Sequence, residues 1–293
     1  MGTEAGRTPR MNPGTPLDLA LVEAVRVDEP ALGARLQALS APPPDRASRR
    51  ERLLSALRCV DLTTLSPDDT PERVRELCRR ARESRGGAAV CIFPRFAGIG
   101  LAELEDTGIR LALVAGGFPE VALPLARRLD EVRDAVAMGA DEIDAVAVRK
   151  NIVASDWAAL FDEVSALREA CGPARLKTIL GTGELGSPTI VARASLVAMA
   201  AGTDFIKTST GKDAVNATLA AGLAMAGQIR GYAEATGHRV EIKPAGGIRT
   251  ADDALGWVTL VREELGEDWV NPDLFRIGAS ALLGQLEREL GTG

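Results

Sequence analysis

The chain has 293 residues, of which 46% are hydrophobic, and a formal net charge of −6. This composition is sufficient for a large core, and the negative charge disfavours nucleic acid or an anionic membrane surface as a partner. The single histidine, His238, rules out a His-rich zinc site, and we predict neither a metal nor a cofactor. Four scattered cysteines without a CxxC pair, no visible signal peptide and no long apolar run predict a cytoplasmic protein without a membrane span.

The chain divides into a predicted N-terminal extension, residues 1–47, and a larger domain, residues 48–293. The extension begins with a polar stretch rich in glycine and proline, which predicts disorder at its start. Helical spacing of apolar residues then appears in three segments, which are residues 17–26, 30–40 and 46–57.

The larger domain alternates short apolar runs with longer amphipathic ones. Eight runs predict strands, over residues 59–63, 88–94, 111–116, 142–147, 176–181, 204–209, 240–246 and 274–279. Six helices are predicted between them, over residues 70–85, 125–138, 156–170, 188–200, 214–235 and 251–265. This alternation predicts an α/β fold, a (β/α)8 TIM barrel with an N-terminal helical extension. An open doubly wound sheet is the alternative, weakened because no early strand is followed by a GxGxxG turn.

Lysine is rare in this chain, and its positions are informative. Five of the 35 basic residues are lysine and the others are arginine, which cannot lose its proton to become a nucleophile. Lys207 and Lys243 fall within predicted strands 6 and 7, which are neighbours in a barrel. Two ammonium groups buried side by side favour the loss of one proton, so a lysine with a lowered pKa is predicted. Such an amine forms a Schiff base with a carbonyl compound.

Glycines follow the last two predicted strands. The loops after strands 7 and 8 of a TIM barrel commonly bind phosphate, because backbone N–H groups can approach its oxygens there. KPAGGIRT (243–250) and RIGAS (276–280) place glycines at these two points. Thr210, Gly211 and Lys212 follow strand 6 and could close the cradle, which predicts a small phosphorylated carbonyl compound as the substrate.

Seven motifs of the predicted barrel belong together: VDLTTL (60–65), VCIFPR (90–95), DEID (141–144), TGEL (182–185), DFIKTSTGK (204–212), KPAGGIRT (243–250) and FRIGAS (275–280). With these motifs the chain resembles the deoxyribose-phosphate aldolase family, class I Schiff-base aldolases, over about residues 48–290. It is most similar to the longer, eukaryotic-type members, which also carry an N-terminal helical extension.

The resemblance implies reversible cleavage of 2-deoxy-D-ribose 5-phosphate to D-glyceraldehyde 3-phosphate and acetaldehyde, a reaction of deoxyribonucleoside catabolism. It implies that Lys207 forms the Schiff base, that Lys243 lowers its pKa and that Asp144 belongs to the proton relay. The resemblance also implies substrate contacts by Lys212, Gly246, Gly247, Gly278, Ser280, Asp61 and Thr63. Dimers occur in the family, so a homodimer is a further expectation.

The sequence departs from the family pattern at Val121, Ala145–Val148, Gly181 and Ala281, and its only tyrosine is Tyr232, whereas some members have a C-terminal tyrosine that assists proton transfer. These departures concern substrate fit and proton shuttling more than the two lysines. Two alternatives therefore stay open. One is a Schiff-base barrel aldolase that acts on a different phosphosugar, and the other is a sugar-phosphate binding protein without catalytic activity.

Overall fold

The protein folds as a barrel of eight parallel strands surrounded by helices. The structure, a computed structural model, describes residues 11–84 and 87–291. The strands, in chain order, are β1 (Val60–Thr63), β2 (Ala89–Ile92), β3 (Arg110–Ala115), β4 (Glu142–Val146), β5 (Arg175–Ile179), β6 (Phe205–Lys207), β7 (Glu241–Lys243) and β8 (Ile277–Ala279). They are joined in the order β7-β6-β5-β4-β3-β2-β1-β8. Isolated bridges from Ile242 to Phe275 and from Ala245 to Gly278 close the barrel between β7 and β8.

The helices of the described residues are α1 (Leu19–Ala24), α2 (Glu29–Leu39), α3 (Arg46–Arg58), α4 (Pro71–Glu83), α5 (Ala97–Leu104), α6 (Leu125–Ala137), α7 (Arg149–Val153), α8 (Trp157–Cys171), α9 (Pro188–Ala200), α10 (Leu219–Thr236), α11 (Ala251–Leu265) and α12 (Leu282–Leu290). Several begin where the sequence supplies a cap. The side chains of Thr70 and Ser187 each accept a hydrogen bond from the backbone N–H three residues later, and each residue is followed by proline. Thr250 and Asp253 form a capping box.

The predicted TIM barrel is confirmed, and the open doubly wound sheet is wrong, because the eighth strand pairs with the first. Each strand presents alternate residues to the barrel interior and to the surrounding helices. On β4, Ile143 belongs to the apolar layer beneath the helices, while Glu142 and Asp144 lie among the charged side chains of the interior. The charged residues of the strands therefore meet inside the barrel.

Some predicted boundaries are wrong. The helix expected over residues 214–235 begins only at Leu219, because the Thr218 side chain caps it and Asp213 accepts the Thr210 N–H in the preceding turn. Residues 208–218 therefore form a long loop after β6. Helices α5, α7 and α12 were not predicted. Each is nine residues or shorter, although the buried leucines of α12 do follow helical spacing.

The N-terminal extension runs across the outside of the barrel. Helices α1 and α2 pack on α9, α10 and α11. Asn12, which is buried, accounts for much of the attachment. Its backbone N–H donates to Asp204, its amide donates to the carbonyls of Met199 and Thr203, and its Oδ1 accepts from the Tyr232 hydroxyl. Asp204 directly precedes β6, so the extension is tied to the base of that strand.

Two predictions about the extension stay open. The disorder expected at its start falls on residues 1–10, which lie outside the described residues. The boundary expected between residues 47 and 48 falls within α3 and stays a prediction. Among the described residues, no helix combines the length and the apolar character needed to cross a membrane.

Candidate active site

Three lysines from neighbouring strands lie inside the barrel. The register of β6 and β7 pairs Lys207 directly with Lys243, and that of β4 and β5 pairs Asp144 with Lys177. All four side chains are buried, and Lys207 is the most accessible of them at 2% exposure. Neighbouring residues of parallel strands point to the same face, so the register brings the three amines around one carboxylate.

Asp144 is that carboxylate. Its Oδ2 accepts from Lys207 Nζ at 2.6 Å and from Lys243 Nζ at 2.8 Å. Its Oδ1 accepts from Lys177 Nζ at 2.7 Å. The two lysines predicted to work together therefore share a single oxygen, and the third lysine holds the other oxygen.

Two further carboxylates neutralise this cluster. Asp61 Oδ2 lies 2.5 Å from Lys243 Nζ, and Glu142 Oε2 lies 2.6 Å from Lys177 Nζ. The Arg276 guanidinium lies 3.0 Å from the other oxygen of Glu142. Buried charges are tolerated when each has a partner, and here each lysine contacts at least one carboxylate.

The pKa of Lys207 is lowered from the ordinary value of a lysine. The largest cause is burial, which disfavours the ammonium form, and the neighbouring positive charge of Lys243 acts in the same direction. Asp144 opposes both effects without overcoming them. We predicted a lowered pKa from the burial of two ammonium groups side by side. The structure supports the direction and places burial first among the causes.

The other members of the cluster keep their charges. Burial by itself lowers the pKa of Lys243, but Asp144 and Asp61 outweigh it and the pKa is raised. The pKa of Lys177 is likewise raised against burial by Asp144 and Glu142. Burial raises the pKa of Asp144, yet the three lysines hold it well below its usual range. Two ammonium groups and a carboxylate therefore surround one amine whose pKa is lowered.

A cavity of about 380 Å³ opens above this cluster, at the carboxyl ends of the strands. Lys207 lines it, whereas Lys177, Lys243 and Asp144 lie beneath its surface. The structure brings nine of the twelve predicted site residues to this cavity: Thr63, Lys207, Thr210, Gly211, Lys212, Gly246, Gly247, Gly278 and Ser280. Asp61 does not reach it, because its buried carboxylate lies against Lys243.

The rim of the cavity is formed by turns that require glycine. Gly246 has a φ of +78°, and a Cβ atom there would lie 2.5 Å from Oδ1 of Asn216. The turn after β7 thus packs against the loop after β6, which carries Lys212. This close packing places backbone groups and one exposed ammonium group around the same opening.

Three residues of the site were not predicted. Lys177 lies within the predicted strand of residues 176–181, and Glu142 lies on the same face of β4 as Asp144, so both could have been found from strand periodicity. Arg249 lines the cavity beside Gly247, in the predicted phosphate loop, where its charge was the available signal. These three residues complete the charged interior and the rim.

Cys91 also lies near the cluster, with Sγ 3.9 Å from Asp144 Oδ2. Burial raises the pKa of this thiol to about 12, so it is protonated at neutral pH. The interpretation of Cys91 as a small core residue is therefore favoured over a nucleophilic role. Among the described residues, no group of histidine, cysteine, aspartate and glutamate side chains has the arrangement needed to hold a metal ion.

Comparison with known proteins identifies the family of this chain. Residues 55–282 match the model of the DeoC/LacD family aldolases. The chain is 45% identical to the deoxyribose-phosphate aldolase of Bos taurus and 47% identical to that of Mus musculus, with 94% of this chain and 93% of each relative covered.

A solved structure shares the fold. The tetrameric deoxyribose phosphate aldolase of Aeropyrum pernix superposes with a TM-score of 0.65 and 26% identity, covering 84% of this chain and 98% of that one. The family match covers most of the chain, and the two mammalian relatives cover nearly all of it. The chain therefore belongs to the DeoC/LacD family of aldolases.

Proposed function

We propose that this chain is a deoxyribose-phosphate aldolase, a lyase that reversibly cleaves 2-deoxy-D-ribose 5-phosphate into D-glyceraldehyde 3-phosphate and acetaldehyde. One observation carries the proposal. Lys207, whose pKa is lowered, lies at the floor of a cavity whose rim carries the glycine turns and Lys212. An amine with a lowered pKa and a positively charged rim thus lie within one small space, which suits a phosphorylated aldehyde.

The reaction begins with attack of the Lys207 amine on the C1 aldehyde of the open-chain substrate. The carbinolamine loses water and becomes a protonated imine. Its positive nitrogen draws electrons from the C2–C3 bond as the proton of the C3 hydroxyl is removed. The bond breaks, D-glyceraldehyde 3-phosphate leaves and an enamine stays on Lys207. Protonation at C2 and addition of water then release acetaldehyde and restore the free amine.

Asp144 and Lys243 are proposed to control proton transfer during this reaction. Asp144 Oδ2 lies 2.6 Å from the nitrogen that changes charge, so it can accept a proton from Lys207 or return one. Lys243 shares that oxygen and keeps its own proton, which stabilises the carboxylate and disfavours a second ammonium group at Lys207. A water molecule is proposed to link Asp144 to the C3 hydroxyl.

The rim of the cavity is proposed to bind the phosphate. Lys212 supplies a positive charge, and Thr210 and Gly211 shape the turn that carries it. The Gly247 backbone N–H and the Ser280 hydroxyl are proposed to contact the phosphate oxygens from the opposite side of the cavity. Gly246 and Gly278 are proposed to let the phosphate approach closely, since their N–H groups donate to the carbonyls of Gly278 and Pro244. Thr63 lines the cavity and is assigned to a substrate hydroxyl, while Asp61 acts indirectly by holding Lys243.

Borohydride trapping tests the proposal. The intact protein is incubated with deoxyribose 5-phosphate and sodium borohydride, digested and examined by mass spectrometry. We expect one reduced adduct on Lys207 and none in Lys207→Met. A label on Lys243 or Lys177 would contradict the assignment. Lys150→Met, which removes an exposed lysine outside the cavity, serves as the control and should be labelled like the wild type.

A coupled assay separates the remaining alternatives. Release of D-glyceraldehyde 3-phosphate without added metal supports the aldolase, and its absence together with no adduct supports a binding protein. In the synthetic direction, acetaldehyde should serve as the donor and dihydroxyacetone phosphate should not. A homodimer stays a prediction, and we propose a cytoplasmic location because all four cysteines are buried and free of disulfides.

A further inference from the structure

Arg149, the first residue of α7, connects three of the loops above the barrel. It follows β4, which carries Asp144. Its Nη1 donates to Glu184 at 3.0 Å in the loop after β5, and its Nη2 donates to Asp213 at 2.7 Å in the loop after β6. Arg149 takes no part in the proposed proton transfers.

Through Asp213, Arg149 is connected to the rim of the cavity. Asp213 has a side-chain exposure of only 5%, so its carboxylate depends on Arg149 for a counter-charge. Its other oxygen accepts the Thr210 N–H at 2.8 Å, and the Thr210 hydroxyl accepts the Lys212 N–H at 3.0 Å. The guanidinium is thus linked by three consecutive hydrogen bonds to the backbone of the residue that supplies the rim charge.

Gly181 makes room for this arrangement. Its φ of +70° is a left-handed conformation, and a Cβ atom there would lie 2.4 Å from Nε of Arg149. The departure from the family pattern at Gly181 therefore has a physical reason, since the Arg149 side chain occupies the space that a larger residue would fill. Gly183 is equally close to the loop after β6, because its Cβ would collide with the Val215 carbonyl.

We propose that Arg149 is a positioning residue for phosphate recognition. It holds the turn of Thr210 to Lys212 in place through Asp213, and it neutralises a carboxylate that would otherwise repel a phosphate dianion. This inference rests on the proposed function. It concerns the phosphate end of the substrate and not the reacting carbon, so its effect is expected on binding of phosphorylated compounds alone.

The test compares Arg149→Met with the wild type on two substrates. We expect the KM for deoxyribose 5-phosphate to rise roughly tenfold, since a charge-assisted hydrogen bond is lost, with kcat little changed. The inhibition constant of inorganic phosphate should rise by the same factor. The kcat/KM for unphosphorylated 2-deoxyribose should stay within about twofold, because that substrate does not use the rim.

Two variants control for a general loss of structure. Arg35→Met removes an arginine that also bridges two carboxylates, Glu263 and Glu264, but lies on the N-terminal extension, and it should leave both substrates unaffected. Arg149→Met combined with Asp213→Asn should recover part of the lost phosphate affinity, because the unpaired charge is then gone. If Arg149→Met folds poorly, Arg149→Lys should give the same selectivity at a smaller magnitude.

Equal losses on both substrates, or an unchanged affinity for phosphate, would overturn the inference. Calorimetric titration of wild type and Arg149→Met with inorganic phosphate needs no turnover. The inference can therefore fail while borohydride trapping still labels Lys207, and trapping can fail while the phosphate affinities still differ as expected.

Discussion

Nζ of Lys207 lies 2.6 Å from Oδ2 of Asp144, yet the pKa of the lysine is lowered. An isolated carboxylate at that distance would favour the ammonium form. Here the carboxylate is shared with two other lysines that keep their protons, while burial disfavours another charge. The nucleophile thus has a proton acceptor within reach, and its pKa is nevertheless lowered.

Removal of the shared carboxylate in Asp144→Asn should impair catalysis. The amide cannot accept a proton from Lys207, and the three amines lose the charge that holds them together. We expect kcat for cleavage of deoxyribose 5-phosphate to fall by roughly 10²–10⁴-fold, the usual contribution of a positioned acid or base. Asp162→Asn, at an exposed position on α8, should leave kcat unchanged. Retention of wild-type kcat in Asp144→Asn would show that another group carries the proton.

The pH dependence of the reaction should follow Lys207. Below its pKa the amine is an ammonium group and cannot attack, so kcat/KM should rise with pH through a value below the ordinary 10.5. In Lys243→Met one cause of the lowered pKa is lost and Asp144 attracts the proton more strongly. The rising limb should therefore move to higher pH. A steady-state profile of kcat/KM from acid to alkaline pH measures the shift, and Lys150→Met should show none. A rising limb at the same pH in Lys243→Met and the wild type would show that Lys243 does not lower the pKa of Lys207.

Lys177 should matter chiefly for stability. Its removal in Lys177→Met leaves Glu142 without its 2.6 Å partner and Asp144 Oδ1 without a donor, and both carboxylates are buried. Breaking such a pair typically costs about 3–5 kcal/mol of unfolding free energy. The pKa of Lys177 is raised, so this stabilisation is fully present at pH 7 and is lost only as the pH rises above 10.5.

Urea unfolding at pH 7, followed by circular dichroism, measures the effect of Lys177→Met. Lys150→Met should change the free energy of unfolding by no more than about 0.5 kcal/mol, as is usual for an exposed position. Equal stability of the two variants would mean that the charged interior reorganises around the missing amine. The Lys177 contacts would then be dispensable.

Asn12→Ala should loosen the N-terminal extension. The variant loses four side-chain bonds, to Gly14, Met199, Thr203 and Tyr232, and the buried Thr203 carbonyl loses its donor. Leaving a buried acceptor without a donor costs about 1–3 kcal/mol. We expect faster hydrogen exchange over residues 11–24, measured by mass spectrometry, while Asn271→Ala, whose amide makes only local contacts, should leave these rates unchanged. If hydrogen exchange is unchanged in Asn12→Ala, residues other than Asn12 attach the N-terminal extension to the barrel.

The barrel itself was predictable because its strands are short apolar runs at regular spacing. Six of the eight observed strands lie within their predicted segments, and the other two, β3 and β5, each begin one residue earlier than predicted. The loop at residues 208–218 was not predictable. Its alanine and valine content resembles a helix start, but the bonds of Asp213 to Thr210 and of Asn216 to Asp213 prevent one.

The residues of the site were likewise predictable only in part. Lys207 and Lys243 were found because lysine is unusual within apolar strands and because consecutive barrel strands are neighbours. Arg149 could not be found, since arginine is common in this chain and its partners lie 35 and 64 residues further along. Only the fold brings those loops together. The indirect role of Asp61 likewise depends on the side chain that lies against it, which a sequence pattern does not specify.

The attachment of Asn12 has a consequence for the order of assembly. Its partners are Met199, Thr203, Asp204 and Tyr232. The extension around Asn12 therefore has no binding surface until some 190 further residues have been made, the separation of Asn12 from Thr203 being 191. Contacts between such distant parts of a chain form late, because a long loop must first be closed. A ribosome-bound intermediate that stops before α10 would therefore expose residues 11–24 to proteases, and protection would appear only once Tyr232 has emerged from the exit tunnel.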